Sequence, residues 1–270
     1  MLIDTHSHLN FNAYKNDSEE IIKNCLDDDV WMINVGSQYS TSCRAVRIAE
    51  KYLQGVYAAV GLHPDHLETK KEIEYKTKEE KFDYKKYREL ALSEKVKAIG
   101  EIGLDYWCQP KNKIKQELFK EKQKNVLLKQ LNLAQKLNLP VIFHCRKAHG
   151  DLLEILKSKF QNSNVKPKGV VHCFTGNWKV AQRYLEMGLY LGFNGIIFKL
   201  NLDKVIKKIP LERISIETDC PYLSPPAYQK QRNDPLSLKY IIQKIAEIKN
   251  LSYKKIAETT TENAKKLFNI

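Results

Sequence analysis

VKAIGEIGL, at residues 96–104, and LPVIFHCR, at residues 139–146, are two short apolar runs on either side of a stretch with helical periodicity at residues 114–137. Apolar runs of this length that are rich in Val and Ile are typical of buried strands. A helix between two such strands is typical of a parallel βαβ unit. Residues 96–146 therefore predict one unit of a parallel sheet.

The strand–helix pattern extends in both directions from this unit. Six further apolar runs lie at residues 2–8, 30–37, 56–63, 169–174, 189–195 and 214–219. Helical periodicity follows at residues 18–29, 40–53, 149–160, 178–187 and 202–208, and again from Pro235 to the end of the chain. Eight strands alternating with helices predict the α/β class and a closed (β/α)8 barrel of the TIM type, with a doubly wound open sheet as the alternative.

Length and composition fit a single barrel domain over residues 1–270. The chain has 270 residues, of which 43% are hydrophobic, and neither a linker nor an internal repeat divides it. A (β/α)8 barrel typically takes about 250 residues. Residues 68–89 are dense in charges of both signs, so we expect a solvated loop and a surface helix after the third strand.

Several features predict a cytoplasmic protein without a membrane segment. The longest stretch without Asp, Glu, Lys or Arg, residues 30–43, is shorter than the ~20 residues that span a bilayer. Asp4 and His6 stand where a signal peptide has its apolar core. The six cysteines are widely spread and form no CxxC pair, which is typical of reduced thiols. We further expect a monomer.

Ionisable residues collect where the predicted strands end. In a parallel barrel these ends form one rim, which is where barrel enzymes have their active sites. Glu101 is embedded among apolar residues, where an unpaired carboxylate would be costly. The glycines that flank it predict a close approach to the neighbouring strand. The set comprises His6, His8, Glu101, His144, His172 and Asp219.

This set predicts a metal centre. Imidazoles and carboxylates without thiolates favour Mg²⁺, Mn²⁺ or Zn²⁺. Six ligands are too many for one tetrahedral ion, and they suit two ions bridged by a carboxylate. We expect two divalent ions per chain, with Mg²⁺ as the ion in the cell and Mn²⁺ or Zn²⁺ as alternatives.

The motifs resemble, in order and over the whole chain, those of the TatD family of metal-dependent deoxyribonucleases, a branch of the metallo-dependent hydrolase superfamily. The stretches that carry the resemblance are IDTHSHL, GLHPDH, GEIGLDY, PVIFHCR, VVHCFTG and ETDCPYLSPP, followed by RNDP. The resemblance implies a (β/α)8 barrel with one ion on His6, His8, Glu101 and Asp219 and a second on Glu101, His144 and His172.

The resemblance also implies roles beyond metal binding. His63 and Arg146 match positions that face the substrate, although His63 could instead cap the turn before Pro64. Arg232 matches the family's loop after the last strand, where it either contacts the substrate or shapes the rim. Asp219 and Glu101 are the catalytic candidates, and Asp219 would orient and deprotonate the attacking water.

The function implied is hydrolysis of phosphodiester bonds in single-stranded DNA from the 3′ end, with RNA as an alternative substrate. The net charge of +13 fits a polyanion, but lysines on solvated helix faces explain much of it. One alternative is hydrolysis of a small ester, amide or lactone, although related amidohydrolases use a carboxylated Lys where this chain has Glu101. Deacylation of misacylated tRNA is another. A nucleic-acid-binding module without catalysis would be expected to have lost metal ligands, and all six predicted ligands are present.

Overall fold

Eight parallel strands form the main sheet in the computed structural model, which describes residues 1–68, 70–71, 76–77, 79–107, 109–161 and 166–270. Each strand pairs with the next one along the chain, without the reversal of order that a doubly wound sheet requires. The predicted (β/α)8 barrel is therefore confirmed. The strands are β1 (Leu2–Ser7), β2 (Val30–Val35), β3 (Val56–Val60), β4 (Val96–Asp105), β5 (Val141–Arg146), β6 (Gly169–Val171), β7 (Tyr190–Phe193) and β8 (Ile214–Ile216).

β8 lies beside β1 and is joined to it by side-chain hydrogen bonds, although the two end strands of the sheet share no backbone ladder. The Thr5 hydroxyl lies 2.8 Å from the Ser215 hydroxyl. Just beyond the strands, the Asp219 backbone N–H donates to the carbonyl of His6 at 2.8 Å. These bonds bring the carboxyl ends of the first and last strands side by side, so residues at opposite ends of the sequence share one site.

The described residues form nine α-helices, whose bounds agree with the predicted ones to within a few residues. The stretch predicted as helical from Pro235 contains two helices. Part of the charged stretch at residues 68–89 lies outside the described residues. The described part of this stretch contains the predicted surface helix. It also contains a short antiparallel strand pair, Lys70–Lys71 with Lys76–Thr77, where we predicted a loop. The helices are α1 (Ser18–Asp27), α2 (Tyr39–Ala49), α3 (Tyr84–Ala91), α4 (Lys113–Leu137), α5 (His149–Phe160), α6 (Trp178–Glu186), α7 (Asp203–Lys208), α8 (Leu238–Lys249) and α9 (Tyr253–Phe268).

Helix α4 supports the end of β4. It begins after Asn112, whose side chain accepts a hydrogen bond from the N–H of Lys115, and it ends at Asn138 in the left-handed conformation, with φ 53°. Between these caps, the buried side chain of Gln123 bonds both the N–H and the carbonyl of Asp105 at 2.8 and 2.9 Å. The helix thereby fixes the backbone where β4 reaches the rim.

Apolar side chains fill the barrel at its amino-terminal end. Seven strands contribute to this interior cluster, and Leu267 and Phe268 of α9 join it from outside. Because α9 closes this end, the carboxyl end is left for polar residues. The inward residues are Ile3, Ile33, Val35, Tyr57, Ala59, Ala98, Ile142, Val170 and Tyr190.

Among the described residues, no helix combines the length and the apolar character needed to cross a membrane. Five of the six cysteines are free thiols, and the sixth, Cys108, lies outside the described residues.

Candidate metal centre

The structure brings the six predicted ligands together at the carboxyl-terminal rim, around His6. The Nε2 atom of His6 lies 3.1 Å from Nε2 of His8 and 3.4 Å from Oε2 of Glu101. It is 3.7 Å from Oδ1 of Asp219, and the His6 ring stacks on His172 with centroids 3.7 Å apart. His6 is fully buried, and burial lowers its pKa, so the ring stays neutral, which is the form that binds metal ions.

Irregular strand pairing turns His6 and Glu101 toward this centre. Residues 4 and 7 of β1 are three positions apart, but their partners in β2 are only two positions apart, so β1 carries one extra residue there. Three steps along β4, at residues 99–102, likewise match two steps along β5. An extra residue in one strand shifts the inward–outward alternation by one position. The two strands can therefore line the apolar interior with their first residues and the centre with His6 and Glu101.

Gly103 allows β4 to lie close to β5 beside Glu101. A Cβ atom at Gly103 would lie 1.9 Å from the carbonyl oxygen of His144, and its φ of +156° is rare for residues with a side chain. At Gly100 a Cβ atom would lie 2.6 Å from Cβ of Ile142. The close approach predicted from the glycines around Glu101 is confirmed.

The two carboxylate oxygens of Glu101 face different imidazoles. Oε2 faces His6 at 3.4 Å, whereas Oε1 lies 2.7 Å from Nδ1 of His144 and 3.5 Å from Nε2 of His172. The described part of the chain contains three groups of possible ligands whose donor atoms lie within 4.8 Å of one another inside each group, and Glu101 belongs to two of these groups. The groups are His6, His172 and Asp219; His6, His8 and Glu101; and His63, Glu101 and His144.

These groups overlap with the two ligand sets implied by the family resemblance, but His172 and His63 are placed differently. His172 groups with His6 and Asp219, while His63 takes the corresponding place beside His144. His172 lies between the two groups, because its Nε2 is also 3.5 Å from Glu101.

The hydrogen bonds of two histidines fit a metal centre. His8 donates from Nδ1 to the carbonyl of Val35 at 2.8 Å, and His172 donates from Nδ1 to Oε1 of Glu217 at 2.8 Å. When Nδ1 carries the proton, the Nε2 lone pair faces the centre and is available to an ion. Metal-binding histidines are typically oriented by a carbonyl or carboxylate in this way. The donor set therefore fits divalent ions.

The charges of the centre are strongly coupled. Burial raises the pKa of Glu101, but His63, His172 and His6 outweigh it and hold the pKa well below its ordinary value. Burial lowers the pKa of His144, but its hydrogen bonds to Asp105 and Glu101 prevail and raise the pKa to about 10. Glu101 is therefore ionised at neutral pH. Metal binding at His144 would have to displace a proton.

Asp105 and Glu217 are functional candidates that the sequence analysis missed. The Asp105 carboxylate accepts from Nε2 of His144 at 2.8 Å, which leaves Nδ1 of His144 facing Glu101. Glu217 is fully buried and orients His172. A signal for Glu217 was present, because it precedes Asp219 by two positions and alternation would place both on one side.

The position of His63 is compatible with both roles considered for it, capping of the turn and contact with the substrate. Its Nδ1 accepts a hydrogen bond from the N–H of Asp65 at 3.1 Å, so it does cap the turn after β3. Its Nε2 lies 3.6 Å from Oε1 of Glu101. Because Nδ1 accepts, a neutral ring carries its proton on Nε2 and presents a donor to the centre.

The two arginines predicted to contact substrate differ in their surroundings. Arg146 follows His144 by two positions, is exposed, and lies over the ring of Trp107. Arg232 bonds the carboxylate of Asp17 and the carbonyl of Ala13, and it lies over the ring of Tyr14. These contacts anchor the loop after β8 to the start of α1. They favour the rim-shaping role for Arg232, and substrate contact stays a prediction.

Comparison with known proteins identifies the family. The sequence matches the family model described as "TatD related DNase" over residues 3–269. The chain belongs to the TatD family. The resemblance drawn from the motifs is therefore confirmed.

Relatives and solved structures of TatD proteins agree over the full length. YabD of Bacillus subtilis, described as an uncharacterized metal-dependent hydrolase, is 40% identical over 276 residues, with both chains covered completely. YcfH of Escherichia coli K12, described in the same words, is 28% identical over 275 residues, covering all of this chain and 96% of YcfH.

The crystal structure of the TatD homologue YjjV from E. coli K12 matches with a TM-score of 0.84 at 30% identity, over 100% of this chain and 98% of YjjV. A TatD family hydrolase from Entamoeba histolytica matches with a TM-score of 0.80 at 25% identity, over 99% and 97% of the two chains. This TatD protein is a metal-dependent hydrolase.

Proposed function

We propose that this TatD protein is a deoxyribonuclease that hydrolyses phosphodiester bonds of single-stranded DNA from the 3′ end and requires two divalent ions. The observation that carries the proposal is the position of Glu101, whose two oxygens face different groups of imidazoles. A bridging carboxylate is characteristic of two-ion sites, which are common in nucleases and phosphatases. His6, His8 and Asp219 would hold one ion, and His144 and His172 the other.

Divalent ions bound there would supply Lewis-acid chemistry, which lowers the pKa of water toward neutrality and neutralises phosphate charge. The protein's own residues orient the reactants. Asp219, whose Oδ1 lies 3.3 Å from Nε2 of His8, would position the attacking water and accept its proton. Burial raises the pKa of Asp219, but His172, His8 and His6 outweigh it and lower the pKa, so Asp219 is a weak base that acts mainly by orienting.

Donors around the rim suit a phosphodiester. His63 presents Nε2–H beside Glu101, and it would donate to a phosphate oxygen. Arg146 is an exposed cation two positions beyond His144. A fixed guanidinium makes charge-assisted hydrogen bonds to phosphate oxygens. The net charge of +13 would raise the local concentration of a polyanion.

The test is incubation of the purified protein with 5′-labelled single-stranded DNA in Mg²⁺, Mn²⁺, Zn²⁺ or a chelator, with the products sized over time. We expect progressive shortening from the 3′ end, none with chelator, and protection when the 3′ end is blocked. Parallel reactions with RNA, a misacylated tRNA and a small ester or lactone test the alternatives.

Rapid cutting of closed circular single-stranded DNA would contradict exonuclease action. Failure on every nucleic acid, together with hydrolysis of a small ester or lactone, would reject the nuclease assignment. Zn²⁺ or Mn²⁺ titration that never exceeds one ion per chain in an active preparation would reject the two-ion centre.

A further inference from the structure

Trp107 is an exposed indole beside the metal centre. It lies two residues beyond the end of β4, and 52% of its surface is accessible. Indole rings bury a large apolar area in folded proteins, so exposing one forgoes stabilisation. An exposed Trp next to a catalytic rim is therefore a candidate for ligand contact.

Two hydrogen bonds fix the position of Trp107 relative to the centre. Its backbone N–H donates to Oδ1 of Asp105 at 2.8 Å, and Oδ2 of the same carboxylate accepts from Nε2 of His144 at 2.8 Å. A single carboxylate thus connects the Trp107 backbone to a predicted metal ligand. The backbone of Trp107 is therefore held two hydrogen bonds away from His144.

Two cations lie against the indole. The guanidinium carbon of Arg146 is 4.4 Å from the ring centre, and Nζ of Lys147 is 4.5 Å from it. Both side chains are exposed. Lys147 has φ of 55°, a left-handed conformation that is uncommon for residues other than Gly, Asn and Asp.

This combination matches the chemistry of a single-stranded nucleic acid. Every base has an aromatic face that can stack on an indole, and every nucleotide carries a phosphate for a cation. In a duplex these faces are stacked within the helix and are not available. An apolar protein partner would not use two cations at the ring.

We propose that Trp107 stacks on one base of a single-stranded DNA substrate, while Arg146 and Lys147 contact the phosphate next to that base. The inference rests on the proposed nuclease function and assigns it a base-binding residue. Trp107 acts by holding the strand, so its removal affects KM rather than kcat. The contact accepts any base, because stacking depends on the aromatic face and not on hydrogen-bonding edges.

The experiment combines variants of Trp107 with substrates that lack single bases. Oligodeoxynucleotides carry one abasic tetrahydrofuran residue at the terminal, the second or the third nucleotide from the 3′ end. Wild type, Trp107→Leu and Trp107→Phe are compared on each. Tyr253→Leu is the matched control, because Tyr253 is an exposed aromatic residue at the start of α9, which closes the opposite end of the barrel.

We expect Trp107→Leu to raise KM on the complete oligonucleotide about 5- to 150-fold, the range for loss of one stacked base. Metal content and kcat should stay within about twofold, Trp107→Phe should retain most of the affinity, and Tyr253→Leu should match wild type. For wild type, one abasic position should raise KM by the same factor. For Trp107→Leu, an abasic residue at that position should leave KM unchanged, and an abasic residue at either other position should have the same effect on KM as in wild type.

Three outcomes would overturn the stacking role. They are an unchanged KM in Trp107→Leu, an equal loss on complete and abasic substrates, and a wild type that does not distinguish abasic positions. A misfolded variant is recognised by a lowered kcat on all substrates. In that case the comparison of complete and abasic oligonucleotides with the wild-type protein still tests the stacking role. If wild type cleaves no DNA with any ion, the proposed function fails and this inference fails with it.

Discussion

Replacing Glu217 with Gln tests whether the centre depends on a carboxylate that does not itself face the ions. Oε1 of Glu217 accepts from Nδ1 of His172 at 2.8 Å, from the N–H of Cys173 at 2.7 Å and from the side chain of Asn194 at 3.1 Å. Glutamine has the same shape and can keep its carbonyl oxygen in this place. The substitution therefore removes the negative charge while preserving the packing.

The magnitude follows from the protonation of His172 in the metal-free protein. Burial lowers the pKa of His172, but Glu217 and Glu101 outweigh it and raise the pKa to about 9 from an ordinary value of 6.5. A folded-state pKa above the unfolded one stabilises the protein fully below pH 6.5, and this stability is lost as pH rises through about 9. The difference corresponds to at most about 3 kcal/mol. Glu217→Gln should remove a large part of it at pH 6 and little above pH 9.

Metal binding should change as well. Loss of the partner that orients a metal-binding histidine typically lowers metal affinity about 10- to 100-fold. In wild type, both His172 and His144 must lose a proton to bind the ion, so affinity should rise with pH through about 9 to 10, and the variant should show a weaker dependence because only the pKa of His172 changes.

The assays are denaturant unfolding of the metal-free proteins at pH 6 and pH 9, and calorimetric titration with Mn²⁺. Glu212→Gln is the control, because Glu212 is an exposed carboxylate just before β8, at the other end of the barrel. An equal loss of unfolding free energy at both pH values, together with unchanged Mn²⁺ affinity, would refute the reasoning.

Three further substitutions test the centre. Glu101→Gln should lower the number of bound ions from two toward one, because one predicted site keeps three ligands and the other keeps only His144 and His172; elemental analysis showing equal loss of both ions, or of neither, would refute the bridge. Asp219→Asn should lower turnover at saturating metal by at least about 10²-fold, as expected for loss of an acid–base group; near wild-type turnover would exclude both of its predicted roles. Gly103→Ala should destabilise by more than about 2 kcal/mol, because the new Cβ would clash with the carbonyl of His144 at an unfavourable φ; unfolding at the wild-type denaturant midpoint would contradict this.

The sequence by itself determined the fold class and the family of this protein. Eight apolar runs alternating with helical stretches predict a parallel sheet covered by helices, since each strand buries both faces and each helix covers the sheet. The order of the strands in the sheet then excluded the doubly wound alternative to the (β/α)8 barrel. The strand ends determined which residues reach the rim, because all parallel strands end on one side. The ordered motifs determined membership of the TatD family, whereas the nuclease activity and its direction stay predictions.

The tertiary structure decided which way the side chains point and what holds them. Strict alternation from Ile3 and Ala98, which face the apolar interior, would direct His6 and Glu101 outward. The extra residue in β1 and in β4 reverses this, and such a bulge is visible only in the pairing with the neighbouring strand.

The partners of the imidazoles are likewise a tertiary property. Asp105 meets His144, and Glu217 meets His172, through contacts between residues 39 and 45 positions apart. The same is true of Arg232, whose guanidinium is held by Asp17 near the other end of the chain. Spacing along a strand predicts which side chains share a face, but barrel closure determines which of them meet, because it joins elements that are distant in sequence.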